Sequence, residues 1–282
     1  MTNLNSTTSL NVAFQGEPGA YSEAALFEYF GSKAVAVGNA RFEDVFDAVD
    51  SGACQLGFIP IENSLAGSIH RNYDLLREHS LHIIGETTLR VRHCLIAAPG
   101  ASMDKITKVI SHPQALDQCR GFLDRWEGGV KVEQVYDTAG AVKQLAETRN
   151  QTTAAIASRR AAELYGMSIL MEGIEDDEAN FTRFLVLSTE PVDPGKDAKT
   201  SILVCLKNLP GSLFKALSVF ALRDIDLSKL ESRPLIGQPG EYQFYVDFAG
   251  STKDQKVIRA LNHLEEYATL LRVLGSYPRN SF

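Results

Sequence analysis

Between residue 10 and about residue 190 the chain repeats one pattern: a short apolar run, a turn of small or capping residues, then an amphipathic stretch. Short apolar runs that alternate with helical periodicity predict α/β architecture. The run 10–14 leads through a turn over 16–22 into a helix expected from about Glu23. The run 56–61 leads through Glu62, Asn63 and Ser64 into a helix carrying Ile69, Tyr73 and Leu76, whose spacing gives it one buried face. The run 108–110 precedes Ser111, His112 and Pro113 and a helix with Leu116, Cys119, Leu123 and Trp126. Pro113 suits a first helical turn, where its missing N–H is no loss. Residues 132–136 lead to a helix opening near Thr138, and 154–157 to one capped by Ser158 and closed by Gly166. Each turn joins the carboxyl end of a strand to the amino end of a helix. Unpaired N–H groups there favour anions, so a small anionic ligand is expected.

Residues 191–199, PVDPGKDAK, interrupt this pattern with two prolines, a glycine and charges, and read as an inter-domain linker. Beyond it, 201–207 alternates as a strand with Ile202, Val204 and Leu206 on one face. A turn through Asn208, Leu209, Pro210 and Gly211 opens a helix carrying Leu213, Ala216, Leu217 and Phe220. Two strands around a turn at 237–240, a helix with Val257, Leu261 and Leu264, and a last strand near 270–273 complete the order βαββαβ of a ferredoxin-like domain. Its sheet carries helices on one face only, so the other face or an edge is expected to pair with a second copy.

A length of 282 residues fits two domains better than one. Lys and Arg number 28 against 35 acidic residues, a net charge of −7 with no basic cluster, which argues against nucleic acid and membrane surfaces as partners. Residues 1–9 are polar and too poor in apolar groups to repay their ordering, and are expected to form a loose arm. Neither a leader pattern nor a run of ~20 apolar residues occurs. Cys54, Cys94, Cys119 and Cys205 lie far apart without a C-x-x-C pair, as reduced thiols would. The expected location is the cytoplasm.

The candidate chemistry is sparse. His79 and His82 straddle a helix-to-strand junction and read as a solvated pair rather than a metal site, and no other metal-ligand motif occurs. Gly16 and Gly19 suit either a tight turn or ligand contact. Asn63 or Ser64 can cap a helix, but capping does not explain Glu62 on the strand side of the cap, which favours a ligand role. Ser111 can cap too, while Gln114 and Gln118, four residues apart, share one side of a helix near its amino end. Thr182 and Arg183 precede an apolar strand, and spacing alone singles out neither.

Five strings in order, FQGEPGAYSEAA, IPIENSLAGSIHRNYDLL, ISHPQALDQC, NFTRF and ESRP, resemble the prephenate dehydratase family with its C-terminal ACT regulatory domain. The resemblance covers nearly all of the chain beyond the first residues. It implies a bilobal periplasmic-binding-type catalytic domain over 10–190, with lobe one from 10–87 and 171–189 and lobe two from 88–170. The linker over 191–199 and a ferredoxin-like ACT domain over 200–282 follow. Position by position, it makes Thr182 the principal catalytic candidate and puts Glu62, Asn63, Ser111 and Gln118 in the other catalytic positions, with Ser64, His112, Gln114 and Arg183 against the substrate. Asn208, Leu209, Pro210, Gly211, Ser212 and Leu213, with Glu231, Ser232, Arg233 and Pro234 from a facing subunit, are the implied site for L-phenylalanine. Two positions depart from the family's pattern: Ala20 stands where a hydroxyl residue is common, and the regulatory G-A-L-V segment reads Gly211, Ser212, Leu213, Phe214.

The implied enzyme is a carbon–oxygen lyase that converts prephenate to phenylpyruvate, carbon dioxide and water in phenylalanine biosynthesis. It needs no cofactor, is feedback-regulated by phenylalanine and works as a homodimer or homotetramer. Losing the ring hydroxyl and the ring carboxylate makes the ring aromatic, so the protein has only to help hydroxide leave, by a proton or strong hydrogen bond from Thr182. Two other readings stay open. Arogenate dehydratase takes a substrate with an amino group in place of the keto group, and a noncatalytic amino-acid sensor is compatible with both folds.

Overall fold

The computed structural model describes residues 9–235, 237 and 241–280. The expected arm over 1–9, apart from Ser9, and the turn at 237–240, apart from Gly237, lie outside them. The chain forms two compact units, one from the segments ending at Ile69 and spanning Thr87–Phe184, the other from His70–Glu86 and the chain from Leu185 onward.

The first sheet is built from β1 (Leu10–Gln15), β2 (Ala34–Asn39), β3 (Leu56–Asn63), the short β4 (Gly67–Ser68), β5 (His82–Arg90) and β11 (Phe181–Ser188). Its order is β2-β1-β3-β11-β5, with β4 paired to β3. β1 runs parallel to both neighbours, joined to them through α1 (Tyr21–Phe30) and α2 (Phe42–Asp50). The second sheet comprises β6 (Cys94–Ala97), β7 (Lys108–Ser111), β8 (Lys131–Gln134), β9 (Thr153–Ala157) and β10 (Ser168–Glu172), ordered β10-β6-β9-β7-β8. β9 is buried along its whole length, which is why it reads as a continuous run of small and branched residues. The chain passes from the first sheet to the second between β5 and β6 and returns between β10 and β11. β10 pairs antiparallel with β6, which keeps 168–172 in the second sheet, so the return falls later than the expected break at 170/171.

One expected helix is two. Between α4 (Pro113–Gln118) and α5 (Arg120–Asp124), Cys119 leaves helical geometry. The Gln118 carbonyl accepts from the Asp176 N–H at 2.8 Å instead of serving the helix, and the Asp176 carboxylate takes the Gly121 N–H at 2.9 Å. The break therefore clamps the returning crossing segment. α6 (Thr138–Thr148) and α7 (Arg159–Tyr165) complete this unit.

The 16–20 turn packs against α7. Ser158 Oγ donates to the Gly19 carbonyl at 2.6 Å and accepts from Ala161 N at 3.0 Å. Glu23 accepts from Gly19 N–H at 2.9 Å and pairs with Arg160 at 2.8 Å. Gly19 has φ +93, and a Cβ there would stand 2.9 Å from the Ala161 Cα. Glycine is thus demanded twice, by backbone conformation and by close approach.

In the second unit, β12 (Ala198–Leu206), α8 (Ser212–Ala221), β13 (Leu227–Pro234), β14 (Tyr242–Ala249), α9 (Gln255–Glu265) and β15 (Ala268–Pro278) follow the expected βαββαβ order. The antiparallel sheet, β13-β14-β12-β15, buries Ile202, Val204, Val219, Phe220, Phe248 and Val257 under its two helices. α3 (His70–Glu78) belongs physically to this unit. Arg233 Nε donates to Asp74 at 3.1 Å, Tyr245 donates its hydroxyl to the Tyr73 carbonyl, and Arg272 donates to the Arg77 and His79 carbonyls at the end of α3. Lys199 and Glu86, both buried, pair at 2.6 Å.

Two outcomes follow. Gly19→Ala should cost about 1–3 kcal/mol and lower the thermal midpoint more than Gly31→Ala, which has φ +66 but open space around its Cβ. A chain ending at Pro194 removes Arg233, Tyr245 and Arg272 from α3. Its amides over 70–78 should then exchange hydrogen far faster than in the full chain.

Candidate active site

A cavity of about 160 Å³ opens in the first unit. The first turns of three helices reach it: Tyr21 and Ser22 of α1, Gln114 and Ala115 of α4, and Thr138 of α6. Asn63 at the end of β3 and Thr182 and Phe184 of β11 supply one wall, and Val91 and His93 of the outgoing crossing supply another. His112 and Gln118 complete the polar lining. The Ala20 departure matters here. With no side chain to cap α1, it leaves the first amides of that helix to another acceptor.

Behind the cavity wall runs a connected set of hydrogen bonds. Asn63 Oδ1 accepts from the backbone N–H of Leu65 at 3.1 Å and Ala66 at 2.9 Å. Its Nδ2 therefore faces β11, where its two hydrogens are shared among Thr182 Oγ1 at 3.0 Å, Asn180 Oδ1 at 2.8 Å and the Phe181 carbonyl at 3.2 Å. Asn180 Nδ2 in turn donates to Gln118 Oε1 at 3.0 Å. The same oxygen meets His93 Nε2 at 2.8 Å, and His93 Nδ1 meets the Tyr21 hydroxyl at 2.7 Å. Burial holds the His93 imidazolium below its usual pKa, partly opposed by the Gln118 hydrogen bond, and burial keeps the Tyr21 phenol protonated well above its usual range. Because the Asn63 amide donates to Thr182, the threonine's own hydroxyl hydrogen is directed elsewhere. Among the described residues it has no acceptor.

The cavity thus gathers Thr182, Asn63, Gln118, His112 and Gln114 from the sequence-derived candidates. It does not gather the rest. Ser111 is fully buried and spends its hydroxyl on the Ile156 carbonyl at 2.6 Å, tying β7 to β9. The helix cap expected of Ser111 falls to His112, whose Nδ1 accepts from Gln114 N. Ser64 clamps β11, donating to the Ala179 carbonyl at 2.5 Å and accepting from Phe181 N at 2.9 Å. Arg183 lies between the lining residues Thr182 and Phe184, and strand alternation turns it to the opposite face. Glu62 is half-buried outside the lining. His93, Tyr21 and Asn180 escaped the sequence reading. His93 and Asn180 sit on the sheet-to-sheet crossings, where no periodicity marks a residue.

A second cavity, of about 220 Å³, lies in the other unit against Asn208, Leu209, Gly211, Ser212, Leu213 and Tyr242. Pro210 and the four residues of the ESRP string are not in its lining. Arg233 pairs with Asp74, and Glu231 stands 3.3 Å from both His70 and Lys229.

The prephenate dehydratase family profile matches residues 12–192, and the ACT domain profile matches 200–266. The arogenate dehydratase/prephenate dehydratase 2, chloroplastic, of Arabidopsis thaliana is 49% identical over 286 residues, covering 98% of this chain and 74% of that protein. The crystal structure of prephenate dehydratase in complex with L-Phe from Arthrobacter aurescens is 30% identical, with a TM-score of 0.88 over 96% of this chain and 90% of that one. A structure described as a novel type of quorum-quenching acylase is 34% identical, with a TM-score of 0.89 over 96% of this chain and 99% of that one. One family profile thus spans the whole sheet-to-sheet excursion that builds the cavity, and a second falls on the βαββαβ sheet. The chain accordingly belongs to the prephenate dehydratase family, decarboxylating dehydratases, here with a C-terminal ACT domain.

Proposed function

We propose that the chain converts prephenate to phenylpyruvate, with Thr182 as the group that helps the ring hydroxyl leave. The observation that carries this is the polarity at Thr182: its oxygen is occupied by the Asn63 amide, and its hydrogen has no acceptor among the described residues. A hydroxyl held in this way donates. During reaction the bond from the ring to its carboxylate breaks and its electron pair enters the ring. The bond to the ring hydroxyl breaks as that oxygen takes a proton, so carbon dioxide and water depart from an aromatic product. Help to a leaving group of this kind is typically worth ~10² to 10⁴-fold.

Both substrate carboxylates need fixing, and Arg183 faces away from the cavity. The first amides of α1, which no side chain caps, and the side chains of Gln114 and Gln118 are the donors at hand, whereas the Asp137 carboxylate already caps the amino end of α6. A keto acid is satisfied by such neutral donors, whereas the ammonium of arogenate calls for acceptors. We therefore read prephenate as the substrate and arogenate as the alternative, which the names of the plant relatives keep in view. Membership of a family of decarboxylating dehydratases sets the noncatalytic sensor aside.

For regulation, the second cavity fits L-phenylalanine. It sits at the amino end of α8 beside apolar Leu213 and Phe244, and the Arthrobacter relative was solved with L-Phe. Leu230 and Leu270, on the two edge strands of that sheet, are exposed and support pairing into a homodimer or homotetramer. The four cysteines are buried and free. That suits a reducing compartment such as the cytoplasm, and the chloroplast named for the Arabidopsis relative remains the alternative. Among the described residues, no helix is long and apolar enough to cross a membrane.

Parallel rate measurements on prephenate and arogenate, followed by phenylpyruvate and phenylalanine formation, test the substrate. Thr182→Val should lower kcat and kcat/KM together by ~10² to 10⁴-fold with KM nearly unchanged, and Thr182→Ser should recover part of the rate. Gly211→Val tests the effector site. Gly211 has φ +78 and open space beside it, so valine strains the turn and fills the cavity. Inhibition by phenylalanine should vanish, a loss of roughly 5- to 150-fold in coupling, while the basal rate stays.

A further inference from the structure

The hydrogen bonds behind Thr182 have a direction fixed from the Asn63 end as far as the Gln118 oxygen. Asn63 cannot turn its amide, because two backbone N–H groups face its oxygen. Asn180 must therefore offer its oxygen to Asn63 and its NH₂ to Gln118. Gln118 must offer Oε1, and the histidine nitrogen 2.8 Å from that oxygen must carry hydrogen. In a neutral ring this leaves Nδ1 with a lone pair, and the Tyr21 hydroxyl, 2.7 Å from that nitrogen and 3.1 Å from the Arg92 carbonyl, has its nearer acceptor there. Burial of both groups favours the same state, a neutral imidazole beside a protonated phenol.

We propose that His93, with its hydrogen on Nε2 and held so by Tyr21, is a positioning residue for the dehydration, locking Gln118 and, through Asn180 and Asn63, the donor orientation of Thr182. This rests on Thr182 acting as the donor. With Oε1 taken by His93 and Asn180, the Gln118 NH₂ bonds no described residue and lines the cavity as a second donor. Move the histidine hydrogen to Nδ1, and the Nε2 lone pair faces the Gln118 oxygen. If Gln118 turns, its NH₂ meets the NH₂ of Asn180; if Asn180 turns, it meets the NH₂ of Asn63, which is tied. Whichever link yields, two donors or two acceptors confront each other in a buried site, and Asn63 is pushed from Thr182.

The test uses the full chain. In ¹⁵N NMR at neutral pH, the His93 resonances, assigned by their loss in His93→Gln, should show a protonated Nε2 and a bare Nδ1. His93→Asn, which keeps no donor at the Nε2 position, should lower kcat about 10-fold with KM within about twofold. His93→Gln, whose amide nitrogen stands where Nε2 stands, should restore most of that loss, and Tyr21→Phe should fall between. An Nδ1–H tautomer, an imidazolium, equal rates for the Asn and Gln variants, or a change confined to KM would overturn the assignment. The tautomer is read without turnover. A wild-type chain inactive on both prephenate and arogenate would therefore sink the functional reading, while the NMR still decides the state of His93.

Discussion

The side-chain amide of Asn63 is the constraint on which the rest of the site depends. An amide has two unlike ends, and here the backbone chooses between them. The N–H groups of Leu65 and Ala66, at the turn after β3, can only face oxygen, so nitrogen must face β11. That one choice gives Thr182 a donor and leaves its hydrogen unspent. It also presents a donor to Asn180, from which the orientation of Gln118 follows. Aspartate has the same shape and only acceptors. It would face Thr182 with an oxygen and turn the hydroxyl hydrogen back into the protein.

The fold delivers these groups by crossing twice between two sheets. Val91 and His93 lie on the outward crossing, and Asn180 ends the return. The two are tied to each other: Val91 N–H donates to the Asn180 carbonyl at 2.8 Å, and His93 N–H donates to Glu175 at 2.9 Å. The break at Cys119 serves the same end. By giving the Gln118 carbonyl to Asp176, it stops one helix short, so that Gln118 stands beside His93 and Asn180 on the crossings. An excess of acidic residues over the whole chain does not make this cavity hostile to an anion. The groups lining the cavity are neutral amides, hydroxyls, imidazoles and helix amino ends, whose fields act at short range.

How much of this was legible in the sequence differs by the kind of interaction. The buried runs of β1, β3, β7 and β9, and the βαββαβ order after the linker, announce themselves through periodicity, because burial acts on every residue of an element. Thr182, Asn63 and Gln118 do not. They stood out through resemblance to a family, since a hydroxyl or an amide at a strand end is commonplace by spacing. Ser64 and Ser111 show the reverse: their hydroxyls look available in sequence and are spent on the Ala179 and Ile156 carbonyls. Such partners, 45 or 115 residues away, leave no local trace. The linker over 191–199 likewise suggested a clean division. The pairing of Asp74 with Arg233, 159 residues apart, assigns α3 to the far side of it.

The scaffold alone does not decide the chemistry. A structure described as an acylase overlays on this chain with a TM-score of 0.89, as closely as the Arthrobacter prephenate dehydratase at 0.88. The two kinds of reaction would ask opposite hydrogen bonds of a threonine hydroxyl. Acyl transfer through a threonine needs the oxygen as a nucleophile, with an acceptor beside it to draw off the proton. Loss of hydroxide needs the proton offered outward, with the oxygen steadied by a donor. At Thr182 the neighbour is the Asn63 NH₂, itself fixed by two backbone N–H groups, and the imidazole of His93 is committed to Gln118 and Tyr21. A threonine hydroxyl by itself favours neither reaction. The turn of an asparagine amide beside it favours dehydration.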